Sequence, residues 1–110
     1  MEDGLASLYM NKAIAVSALG DSRGAVALYG KAIVIRERLV NIEGRSELAG
    51  KLAWVKAYRA IAMIQLGETE KGKREALNTI SILRSEIKRT GRSDLTTVLK
   101  WLESQIDNKL

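Results

Sequence analysis

Few side chains in this sequence could carry catalytic chemistry. The 110 residues include no His and no Cys, which excludes imidazole and thiolate catalysis, disulfides, and the usual nitrogen and sulfur metal ligands. Carboxylates remain. Glu68 and Glu70 stand beside a turn glycine, Gly67, with no partner base, and read as acids that favour the start of a helix. Gly20, Gly24 and Gly30 are dispersed among helical positions and form no phosphate-cradling loop. The expectation is a protein that is not an enzyme and uses no metal and no cofactor.

Non-covalent chemistry is better provided. Trp54, Tyr58, Ile61 and Gln65 run i, i+4, i+7, i+11, which places two aromatic rings, an alkyl group and a carboxamide on one stripe of a helix. Charge is a second resource. The net charge is +5, and residues 1–50 are balanced with six basic and six acidic side chains, so the excess lies in residues 51–110, where twelve face seven. Lys71, Lys73, Arg74, Arg84, Lys88, Arg89 and Arg92 supply much of it and could attract phosphates or an acidic partner. Glu68, Glu70, Glu75 and Glu86 are interspersed, however, and no nucleic-acid reading module or aromatic stacking platform is evident. A solvated helix face is the expected role, and nucleic-acid binding is disfavoured.

The elements that position these residues repeat. Shifted by 47, Gly44-Arg45-Ser46-Glu47-Leu48 falls on Gly91-Arg92-Ser93-Asp94-Leu95, and Leu52 and Trp54 fall on Leu99 and Trp101. The same shift places Ala13-Ile14-Ala15 on Ala60-Ile61-Ala62 and Leu19-Gly20-Asp21 on Leu66-Gly67-Glu68. Ile42-Glu43-Gly44-Arg45 has the form of a protease-recognition site, but the recurrence of Gly-Arg-Ser in the same phase makes it a native connector. Within each unit the spacing is that of amphipathic helices, for example Ala25, Leu28, Tyr29, Ala32 and Ile33. Helices are expected at 5–19, 22–40, 46–66, 69–89 and 94–107. Gly20 and Gly67 should close first helices in the left-handed conformation, Ser22 and Thr69 are the expected N-caps of the second helices, and Ser46 and Ser93, each followed by an acidic residue, should start the next first helix.

The first unit resembles a tetratricopeptide repeat of the extended, kinesin-light-chain-like kind. Tyr9 stands at the bulky position, Ala13 at the small site, Gly20 at the turn, and Ala25, Tyr29 and Ala32 at the small, aromatic and small positions of the second helix. The second unit keeps small residues at Ala60, Gly67, Gly72 and Ala76 but has Lys56 at the bulky position and Thr79 at the second small site. The proline that often closes the family's second helix is missing. The resemblance implies an all-α fold: antiparallel helical hairpins stacked as a short right-handed α-solenoid of about five helices. It would form one domain over 1–110, with repeats at about 5–45 and 46–92 and a polar closing helix at about 93–108.

It also implies a scaffold that binds a peptide or helix of an unidentified partner protein on the face lined by the first helices. Candidate contacts are Asn11, Ile14, Trp54, Tyr58, Ile61, Gln65 and Trp101. Asn11 matches the carboxamide that holds a ligand's main chain in family members. The lysine of carboxylate-clamping relatives is replaced by Ser7, Trp54 and Trp101, which turns the expectation toward apolar or aromatic anchors. Trp54 and Trp101 could equally pack between neighbouring first helices. The alternative is a structural segment of a longer solenoid, or a homo-oligomer formed through exposed repeat ends. The acidic N-terminus carries no secretory signal and no apolar stretch nears a bilayer span, so no membrane partner and a cytoplasmic location are expected.

Overall fold

The structure, a computed structural model, describes residues 2–109, with side chains through Asp107. These residues form five α-helices and no strand: α1 (Glu2–Ala18), α2 (Ser22–Asn41), α3 (Ala49–Leu66), α4 (Thr69–Thr90) and α5 (Ser93–Lys109), with a 3₁₀ turn, Ser46–Leu48, leading into α3. None of these helices is long and apolar enough to cross a membrane.

Four glycines with positive φ set the ends: Gly20 (90°), Gly44 (69°), Gly67 (103°) and Gly91 (69°). They fall in two pairs 47 residues apart. At Gly20 and Gly67 the chain reverses through the same pair of hydrogen bonds, in which the next residue's N–H donates to the Val16 or Met63 carbonyl while the glycine N–H donates to that of Ser17 or Ile64. Gly44 sits in a wider closure, with the Arg45 N–H donating to the Leu39 carbonyl at 2.9 Å.

Several helix starts differ from the sequence expectation. Asp21, not Ser22, caps α2, its carboxylate accepting from the Gly24 N–H at 2.8 Å. The longer Asp side chain, placed one residue earlier, reaches the Gly24 amide directly, and a Cβ at Gly24 would lie 2.2 Å from that carboxylate. Glu68, not Thr69, occupies the cap position of α4 and makes no side-chain bond there. Ser46 opens the 3₁₀ turn, not α3, because Leu48 turns inward to 4% exposure before the helix proper begins at Ala49. Helix α1 starts three residues early, since Glu2 and Asp3 suit the positive end of its dipole and Asp3 is anchored to α2 and α3.

Sequential helices pack antiparallel, and their seams are built from small residues. Ala6, Ala13, Ala25 and Ala32 are fully buried between α1 and α2, as are Ala53, Ala57, Ala60 and Ala76 between α3 and α4. Helix α3 belongs to both cores. Its Leu52, Val55 and Ala62 join the cluster of α1 and α2, while Ala57, Ala60 and Ile61 join that of α4 and α5.

One buried charge ties the first three helices together. Arg36 of α2, 3% exposed, donates to Ser7 Oγ at 3.0 Å, to Asp3 Oδ1 at 3.3 Å and to the Lys51 carbonyl at 3.4 Å. Lys51 Nζ holds the other oxygen of Asp3 at 3.1 Å. Burial pushes the Asp3 carboxyl up, but the Lys51 ammonium and Arg36 guanidinium outweigh it and leave the pKa below its ordinary 3.8.

At Gly72 of α4 the backbone lies close against α3, where an added Cβ would sit 2.9 Å from the Ala60 carbonyl oxygen and 2.7 Å from Ile64 Cγ1. Gly30, also inside a helix, has only the Arg59 guanidinium nearby, at 3.9 Å. Gly72→Ala should therefore destabilise the protein by about 1–3 kcal/mol, overpacking outweighing improved helix propensity. Gly30→Ala should stabilise it by up to about 1 kcal/mol. Urea unfolding of the two variants checks the opposite signs.

Candidate functional site

Tyr58, near the middle of α3, is the centre of an aromatic row. Its ring lies 4.8 Å from that of Trp101 on α5, 6.0 Å from Tyr29 on α2 and 6.3 Å from Trp54 one turn earlier on α3. Interplanar angles of 19° and 28° with Tyr29 and Trp54 are offset-stacked, whereas the 37° to Trp101 is tilted. Three helices thus bring their rings together around Tyr58. The small seams make this possible, because bulk that cannot enter between the helices is displaced to their edges.

Two hollows flank the row. On one side Ile14, Ser17 and Ala18 of α1 face Ile61 and Gln65 of α3 across a groove of about 290 Å³, with Tyr29, Tyr58 and Trp101 forming its aromatic wall. On the other, Trp54, Tyr58, Thr97, Val98 and Trp101 enclose about 200 Å³ between α3 and α5. Tyr58 and Trp101 are common to both. Among the described residues no charged group lines either hollow, so both suit apolar matter with a hydrogen-bonding edge supplied by Gln65, Ser17 or the phenols.

Of the seven residues singled out from sequence, Ile14, Tyr58, Ile61, Gln65 and Trp101 are brought together at the larger groove, and Trp54 lines the smaller one. They are not equivalent. Ile14 (41%) and Trp54 (38%) are exposed, and Gln65 is also exposed at the rim. Tyr58 and Trp101 are half-buried, partly packing element and partly surface. Ile61 is only 5% exposed and belongs to the core, so its role is to support the groove floor. Asn11 is exposed on α1 and lines neither hollow. Its spacing from Ile14 is helical, but α1 lines the groove through Ile14, Ser17 and Ala18, and Asn11 falls outside that set.

Tyr29 was not singled out as a contact residue. Its sequence position marks it only as a filler of the second helix, yet it backs the groove at 2% exposure. Burial, with a smaller contribution from Tyr58, pushes its phenol up to about 12. A group whose folded pKa exceeds its ordinary 10.0 contributes stability that is complete below pH 10 and lost as the pH rises toward 12. Wild-type stability should therefore fall across that window in chemical denaturation, whereas Tyr29→Phe should show a flatter alkaline limb.

No protein-family model, no curated protein and no solved structure matches the chain.

Proposed function

We propose that this chain is a tetratricopeptide-like scaffold, a short right-handed solenoid of helical hairpins, that binds a peptide or helix of a partner protein through the aromatic groove. Antiparallel hairpins with alanine seams and left-handed glycines paired 47 residues apart support the scaffold. The observation that carries the binding is the groove itself: half-exposed Tyr58 and Trp101 rings beside an exposed Ile14, with Gln65 at the rim. Aromatic side chains in such settings supply much of the energy of an interface for little ordering cost.

The chemistry selects the ligand. Ser7, at the position where carboxylate-clamping relatives would carry Lys, already accepts a hydrogen bond from Arg36 at 3.0 Å, and its counterparts 47 and 94 residues on are Trp54 and Trp101. The groove therefore takes an apolar or aromatic anchor rather than a terminal carboxylate. On this reading the protein has no catalytic role, needs no cofactor, does not act through nucleic acid, and works in the cytoplasm.

Peptides selected from a random displayed library against the wild-type protein should be rich in aromatic and aliphatic residues and should perturb the tryptophan emission. Ile14→Glu, a change at an exposed position, should weaken them by about tenfold or more, equivalent to about 1.4 kcal/mol. Selected peptides that depend on a free C-terminal carboxylate, or that bind Ile14→Glu as tightly, would sink the assignment.

A second reading, self-association or assembly into a longer solenoid, is favoured by one observation. Leu5 and Leu8 are 45% and 66% exposed, whereas their counterparts 47 residues on, Leu52 and Val55, are 8% and 0% exposed in the shared core of α1, α2 and α3. The outer face of α1 thus repeats a face that is covered in α3. If copies associate through it, sedimentation equilibrium of the wild type should show a concentration-dependent mass that Leu8→Glu reduces to the monomer value. A wild-type protein that stays monomeric at millimolar concentration would remove this reading.

A further inference from the structure

The ion pairs sort the basic residues of the second half into two groups. Arg84, Arg89 and Arg92 are neutralised by Glu103, Glu86 and Asp94 at 2.7, 2.7 and 2.6 Å. Lys71 and Arg74 have no such partner among the described residues, and both are exposed on α4. They line a cleft of about 540 Å³ between α3 and α4, together with Lys56, Arg59, Glu75 and Asn78. Four cations thus converge on a cleft that holds one carboxylate. That carboxylate is already engaged, with Arg59 Nε 2.7 Å from Glu75.

Folding does not require this arrangement. By the 47-residue shift, Lys71, Arg74 and Glu75 stand where the first unit has Gly24, Ala27 and Leu28, and Lys56 stands where it has Tyr9. The first hairpin closes with those small and apolar residues, so the charges of Lys56, Lys71 and Arg74 are not demanded by the helical pairing, whereas Arg59 keeps a basic counterpart, Lys12. Like charges gathered around a cleft repel one another, and an anionic ligand removes that repulsion.

Two of the cations are held in place before any ligand arrives. Lys56 and Arg59 have side chains 18% and 26% exposed and are steadied by Glu37 at 3.8 Å and Glu75 at 2.7 Å. Lys71, Arg74 and Asn78 follow i, i+3, i+7 along α4, a row about 10 Å long at 1.5 Å per residue. An extended peptide repeats its same-side side chains every ~6.6 Å, so two carboxylates of a short acidic run reach two points of that row. Arg74 can meet a carboxylate with both guanidinium nitrogens.

We infer that the α3–α4 cleft binds a short Asp/Glu-rich peptide segment of a partner protein, at a site separate from the aromatic groove. Lys56 and Arg59 lie roughly 200° and 140° around α3 from Trp54, at 100° per residue, so the two surfaces face different ways. The occupant is a peptide rather than a nucleic acid for two reasons. The cleft contains no aromatic ring on which a base could stack. Glu75 within it and Glu37 beside it interrupt the path that a continuous phosphodiester backbone would follow, whereas discrete carboxylates can avoid them.

Fluorescence anisotropy of a labelled hexaglutamate peptide tests the site in the full chain, independently of groove binding. The wild type should bind at low salt and weaken as ionic strength rises. Lys71→Glu/Arg74→Glu, at exposed positions that leave the helical circular dichroism unchanged, should lose about tenfold or more in affinity. Lys88→Glu/Lys100→Glu, with the same change of charge away from the cleft, should retain most of it. Absence of peptide binding at low salt, or equal loss in both double variants, overturns the inference. So does tighter binding of a single-stranded oligonucleotide of matching charge that shows the same sensitivity to Lys71→Glu/Arg74→Glu.

Discussion

Alanine and glycine at the seams set the spacing between neighbouring helices, and most of the structure follows from that spacing. Fully buried Ala6, Ala13, Ala25 and Ala32 in one hairpin and Ala53, Ala57, Ala60 and Ala76 in the next leave no room for a large side chain between helix axes. At Gly72 even a methyl group would meet the Ala60 carbonyl. Helices that approach this closely gain many weak dispersion contacts, each about 0.1–0.2 kcal/mol, and exclude water from their backbones. Bulk must then sit at the edges of the seams. Leu83, Leu95 and Leu102 fill the space where α4 meets α5, and the four rings of Tyr29, Trp54, Tyr58 and Trp101 fill the edge where α2, α3 and α5 come together.

The two units share spacing but not chemistry. Position 36 in the first unit is a buried arginine, and its counterpart 47 residues on, Leu83, is a fully buried leucine. Asp3 and Ser7, which complete the arginine's shell, correspond to Gly50 and Trp54. A buried guanidinium is stable only when its donors are met, so Arg36, Asp3, Ser7 and Lys51 stand or fall together. The apolar version at Leu83 carries no such constraint, and position 54, the counterpart of Ser7, holds a tryptophan of the aromatic cluster.

This explains what could be read from the residues and what could not. The helix count, the turns at Gly20 and Gly67 and the stripe containing Tyr58 and Gln65 were legible because period and punctuation are local properties. Asp21 in place of Ser22 as the cap was missed because both are good caps, and only the geometry of the Gly24 amide distinguishes them. The burial of Arg36 was hidden for another reason. An arginine in an amphipathic helix normally marks the wet face, and its partners lie 33, 29 and 15 residues away in sequence. Ile61 and Ile14 occupy equivalent positions in the repeat, yet one is core and the other surface, since α3 has neighbours on both sides and α1 on only one.

Helix α3 shows how one short element can present several chemistries. Its Leu52, Val55 and Ala62 enter the first core, while Ala53, Ala57, Ala60 and Ile61 enter the second, which uses more than half of its circumference for packing. Two strips are left. Trp54, Tyr58 and Gln65 form one, and Lys56 and Arg59 the other, and each opens onto a hollow completed by a different neighbour, α1 and α5 for the rings and α4 for the cations. A helix at the end of a stack could not hold both strips in place, because one of its flanks would lack a packed neighbour to fix its rotation. The central position of α3 is thus the condition for both surfaces, and it depends on the same close seams on either side.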